Sequence, residues 1–185
     1  MSKLQRSINS FSILTILLLS LSLNASGQQK YISRAIIAFS GGAYERTILD
    51  INTALSNTED IAESELGKAY FYRGIAKIRL LSQNQEHQIL GSNPCLSAYN
   101  DIAQAIKLEP GRWTTKAEKE YLKIYDELVI QGEISLRQAR AVGGGSRAKI
   151  LLGRSKDHFT AALSIKTVPT VRNKLTEINN LVTGL

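Results

Sequence analysis

The chain has 185 residues, 43% of them hydrophobic, which supplies a packed core and excludes a disordered chain. Its formal net charge of +7 raises nucleic-acid binding, but the few aromatic residues are scattered at core-like positions and do not interleave with the basic run, so no nucleic-acid partner is expected. A single cysteine, Cys95, excludes an internal disulfide and reads as a small buried apolar residue beside Leu96.

In chain order, Lys3 and Arg6 precede an apolar run from Phe11 to Leu23, and Ala25, Ser26 and Gly27 supply small residues for cleavage. The run is about 20 Å long as a helix, against roughly 30 Å of bilayer hydrocarbon. Residues 1–27 are therefore expected to be an export leader, with a mature domain at 28–185 and a periplasmic or extracellular destination. An uncleaved anchor is the alternative. No cysteine lies near the cut to carry lipid, and no integral span is expected once the leader is gone.

From Gln28 onward almost every segment has helical period and none alternates as a strand does, so the chain is expected to be all-α. Over Gln28–Ser56 an aromatic (Tyr31), a small residue (Ala35), a turn glycine (Gly42) and Tyr44 precede Asp50, Ile51, Ala54 and Leu55. Tyr70, Gly74 and Ala76, then Ala98, Ile102, Ala105, Ile106, Leu108 and Pro110, repeat the scheme. Two helices cross closely only where side chains are small, and larger neighbours fill the space beside the crossing. Between these halves Ser82–Pro94 is inserted. Its glutamine-rich composition is read as the first helix continuing a turn or two and breaking at Gly91 to Pro94, with a surface loop as the alternative.

Thr115 to Glu118 is read as a capping box opening one long helix to Val142, closed by Gly143, with Ala117, Tyr121, Tyr125, Leu128, Gly132, Leu136 and Ala139 on one face. A split at Gly132 is the alternative. Ser146–Lys166 is its expected partner, and Pro169 opens a last helix with Val171, Leu175, Ile178 and Val182 on one side.

The two segments over 28–110 resemble tetratricopeptide repeats. The likeness is good there, vague over 115–166, and absent beyond. It implies a short right-handed α-solenoid with units at about 28–58, 60–111 and 115–166 and a capping helix at 169–183. It also implies a non-enzymatic module that binds another protein or peptide on the concave face of the first helix of each pair. The matching positions are Gln29, Ile32, Ile36, Phe39 and Ser40 in the first unit. In the second they are Lys68, Phe71, Ile75, Ile78 and Arg79, which would suit a segment carrying negative charge.

Between Arg137 and Lys156 lie six cations and no acid, among them Arg140, Arg147 and Lys149. The run is either a solvated helix surface or an adaptor to an anionic envelope surface. An accessory subunit of an envelope enzyme is the remaining alternative. No chemistry is expected. Gly143 to Lys149 lacks the spacing and the preceding strand of a phosphate loop. His87 and His158 lack a helical partner for zinc and read as surface residues. Glu63/Glu65 and Glu118/Glu120 diverge on their helices. No catalytic residue, cofactor or metal is assigned.

Overall fold

A computed structural model describes residues 27–59, 61–83 and 88–184. The leader-like run at 11–23 and His87 lie outside the described residues. Within them the chain is all-helical, with no strand. Helix α1 covers 27–40 and ends at Gly42, whose φ of 77° a glycine adopts freely. It is followed by α2 (Tyr44–Leu55), α3 (Glu63–Leu81), a 3-10 turn (Gln88–Leu90), α4 (Pro94–Leu108), α5 (Pro110–Val142), α6 (Gly145–Ile165) and α7 (Pro169–Thr183).

The helix ends have visible causes. Pro94, Pro110 and Pro169 each occupy a first-turn position, where a missing N–H costs nothing and the fixed φ suits a helix. Gly143 closes α5 in the left-handed conformation, φ 78°, with its N–H donating to the Ala139 carbonyl. Two expectations are corrected here. The capping box at Thr115–Glu118 is not used, because α5 already begins at Pro110 and both residues sit inside the helix. The insertion does not lengthen α3, which stops at Leu81, with Ser82 and Gln83 in a turn. Gly132 leaves α5 unbroken.

Each helix from α2 to α7 packs on the next; α3 also touches α5, and α4 touches α6. The closest crossings sit at small residues. A Cβ on Gly74 of α3 would lie 2.6 Å from Ile102 Cγ1 and 3.0 Å from the Ala98 carbonyl oxygen of α4. A Cβ on Gly132 would lie 2.9 Å from the Phe159 ring of α6. In the first pair Ala35 is fully buried with Ile32, Ile51 and Ala54, and Thr47 Oγ1 donates to the Ala35 carbonyl at 3.3 Å. A continuous apolar core then runs from Phe71 and Ile75 through Ile102, Leu128, Leu136 and Phe159 to Val171 and Ile178. Burial of such residues stabilises by about 1.5–3 kcal/mol each before entropy is counted.

Candidate interaction cleft

A hollow lies where α1, α3 and the first half of α5 meet. Phe71, Tyr72, Ile75 and Arg79 reach it from α3; Trp113, Thr115, Lys116, Lys119 and Glu120 reach it from α5; Phe39 comes from α1. Spacings of three, four, seven and eight residues put these side chains on one face of each helix. The cleft encloses about 500 Å³.

Its floor is aromatic. Phe71 stacks on Trp113 with ring centroids 4.4 Å apart, and Tyr72 meets Phe39 edge-on at 5.1 Å. Such pairs contribute about 0.5–1.5 kcal/mol beyond area burial. Trp113 is seated by its Nε1–H, which donates to Glu109 Oε2 at 3.1 Å. Gly67 leaves room for that pair, since a Cβ there would lie 3.1 Å from Nε1 and 3.0 Å from Oε2.

The rim is charged. Arg79 Nη2 donates to Glu120 Oε1 at 2.8 Å, and Lys123 Nζ donates to Glu120 Oε2 at 2.8 Å. Lys116 Nζ lies 5.2 Å from the Trp113 ring centroid. Lys116 and Lys119 are exposed and have no carboxylate partner among the described residues. Arg79 also borders a second hollow of about 420 Å³, lined by Ile78, Leu81, Cys95, Ile124 and Glu127.

The residues expected on the concave face divide. Phe71, Ile75 and Arg79 line the cleft and Ile78 lines the second hollow, although Phe71, Ile75 and Ile78 are buried and present only edges. Lys68 lies outside both and pairs with Glu65 one turn away. Of the first-unit positions only Phe39 arrives. Ile32 is corrected to a core residue, fully buried between α1 and α2, and Ile36 packs on the same cluster. The Ser40 hydroxyl donates to the Ile36 carbonyl, and Gln29 is exposed. Sequence reading missed Tyr72, Trp113, Lys116, Lys119 and Glu120. The available signal was the 113/116/120 spacing on a helix that starts at Pro110.

Buried ionic clasps position α3. Asp101 of α4 accepts Arg73 Nε at 2.9 Å and Nη2 at 2.6 Å, and Lys77 Nζ at 2.7 Å. Arg73 Nη1 reaches back to Asn52 Oδ1 at 2.9 Å, tying α3 to α2. Burial holds the Lys77 ammonium below its ordinary range, partly offset by Asp101. The first pair repeats the clasp: Arg34 and Arg46 both donate to Asp50. Arg34's hydrogen bond, aided by Arg46, holds that carboxyl below its ordinary range against the effect of burial. In both pairs the arginine follows a tyrosine by three residues and stacks over its ring, Arg34 on Tyr31 and Arg73 on Tyr70.

In α5–α6 the same places hold Gln131 and His158. His158 is corrected from surface to core: it is 2% exposed, and its Nδ1–H donates to the Arg154 carbonyl at 2.7 Å. Glu127 accepts the Gln131 side-chain amide at 2.7 Å. With Cys95 and Asn93 these groups border a cavity of about 80 Å³. Burial, and secondarily Glu127, push the Cys95 thiol up to about 12, so it is neutral and unreactive at physiological pH. Among the described residues no cluster of His, Cys, Asp or Glu has the geometry to hold a metal ion.

The basic run does not join the cleft. Arg137 and Arg140 lie near the end of α5, and Arg140 pairs with Glu177 of α7. On α6, Arg147 and Arg154 share one flank and Lys149 and Lys156 share another, roughly 160° away at 3.6 residues per turn. Comparison with family models, curated proteins and solved structures finds no match to this chain.

Proposed function

We propose that this chain is a non-enzymatic protein–protein interaction module, a short right-handed α-solenoid of tetratricopeptide type that takes a peptide segment in the cleft between α1, α3 and α5. The repeated clasp supports the solenoid reading: Tyr-x-x-Arg before the small crossing residue, answered by Asp and an apolar residue on the next helix. So does the packing of α3 on α5 and of α4 on α6. The observation that carries the binding reading is an aromatic floor of half-buried Phe39 and Tyr72, joined by the edge of buried Trp113, beneath Lys116 and Lys119. Such a floor accepts an apolar side chain, and the two lysines favour a neighbouring carboxylate. The leader-like segment before residue 28 supports action as a scaffold outside the cytoplasm, in the cell envelope or beyond it.

Selection of a displayed peptide library on the protein, followed by calorimetric titration of the enriched sequences, tests this. Enriched peptides should combine apolar and acidic residues. Lys116→Ser with Lys119→Ser should weaken them about tenfold, while helical circular dichroism is unchanged. No enrichment, or equal affinity for the double variant and for Phe39→Ser, would reject the cleft as the binding site.

A further inference from the structure

We propose that the end of the molecule formed by the α5–α6 turn and the last turns of α7 docks on an anionic lipid bilayer. This surface is separate from the peptide cleft: Val142 lies roughly 40 Å along α5 from Lys116. Of the eight exposed large hydrophobic residues among those described, four are here: Val142 at 42% exposure, Ile150 at 58%, Leu181 at 37% and Val182 at 44%. An open apolar hollow of about 330 Å³, lined by Ala139, Ala148, Leu152 and Leu181, joins the three helix ends.

Arg140, which also lines this hollow, pairs with Glu177, but the α6 cations around these tips are uncommitted. Arg147 and Lys149, in the first two turns of α6, are exposed and have no ion-pair partner among the described residues; nor have Arg154 and Lys156 farther along. The contrast with α3 is sharp, because there Lys68, Arg73, Lys77 and Arg79 each meet a carboxylate.

A lipid interface offers both things this end presents for contact: hydrocarbon just below the surface for the apolar tips, and phosphates above it for the cations. A second copy docked end to end would bring the same unpaired cations face to face and be repelled. A nucleic acid or a purely acidic protein would leave the four apolar tips without a role. No helix among the described residues is long and apolar enough to cross a membrane, so the contact is peripheral.

The test needs a local reporter, since Lys3, Arg6 and the apolar run at 11–23 can partition by themselves. The full chain carries an environment-sensitive fluorophore on Val142→Cys or, as control, on Leu49→Cys. Cys95 is buried with a raised pKa and stays unlabelled. With phosphatidylglycerol-containing vesicles the Val142→Cys label should shift to the blue, and added salt should reverse it. Pure phosphatidylcholine should give no shift, and the Leu49→Cys label should stay unchanged throughout. Arg147→Ser with Lys149→Ser should weaken the partition read at position 142 about twentyfold or more, about fivefold per cation, with unchanged circular dichroism. The proposal is overturned by an unchanged label at 142, by equal shifts at 142 and 49, or by equal shifts on neutral vesicles. A concentration-dependent shift without lipid, with dimers in sedimentation, would also overturn it and assign this end to a second copy.

Discussion

The α3–α4 pair and the α5–α6 pair reach the same close crossing with different chemistry. In the first, Gly74 admits Ile102, and an ionic clasp of Arg73, Lys77 and Asp101 stands beside the contact. In the second, Gly132 admits Phe159, the clasp is replaced by Gln131 and His158, and Ser155 Oγ donates to the Gly132 carbonyl at 2.7 Å. The glycine and the large apolar residue facing it are common to both, whereas the polar pair beside them differs. Close approach of the helices therefore rests on the missing Cβ, and the polar groups only have to find partners, across the crossing in α3–α4 and within their own helices in α5–α6.

The largest effect is expected where the clasp is broken. Asp101→Ala leaves Arg73 and the buried Lys77 without their shared carboxylate and should cost about 3–5 kcal/mol in denaturant unfolding. A loss below about 1 kcal/mol would mean that water takes over the cations. Converting one pair's chemistry into the other's comes next. His158→Asp alone should lose about 3 kcal/mol through an unpaired buried charge, and adding Gln131→Arg should recover most of it. Additive losses would show that the two positions are not equivalent to Asp101 and Arg73.

Glycine substitutions separate crossings from surfaces. Gly74→Ala should destabilise by about 1–3 kcal/mol, because the new methyl group has nowhere to go. Gly153→Ala in α6 meets nothing within 4 Å and should stabilise by about 0.5–1 kcal/mol. Equal melting shifts for the two would contradict the close-crossing explanation. The smallest effect is at Asp50, whose arginine partners are about half exposed. Its pKa is depressed in the folded chain, so its contribution is present above the ordinary value of 3.8 and fades as pH falls below it. Asp50→Asn should flatten that part of the acid-unfolding profile.

How much of this was legible depends on the range of the signal. The stop of α4 before Pro110, the end of α5 at Gly143 and the start of α7 at Pro169 are local events of backbone chemistry and are plain in the sequence. So is the crossing at Gly74, since a small residue amid larger apolar ones has few other uses in a helix. The clasps were not read, because Arg73 and Asp101 are separated by the insertion and the matching residues of the first pair are spaced differently. His158, beside acidic Asp157, reads as a surface residue, whereas its phase with Leu151, Ser155 and Ala162 places it inward. Half of the cleft was missed for a related reason. The capping-box pattern at Thr115 mimics a helix start, which leaves Trp113 outside the expected helix and hides the face it shares with Lys116 and Glu120.

The most direct test of the cleft is amide hydrogen exchange with and without a peptide selected on the protein. Added protection is predicted on α1, α3 and the first half of α5, with α2, α4 and α6 unchanged. Protection confined to α2, α4 or α6 would contradict it.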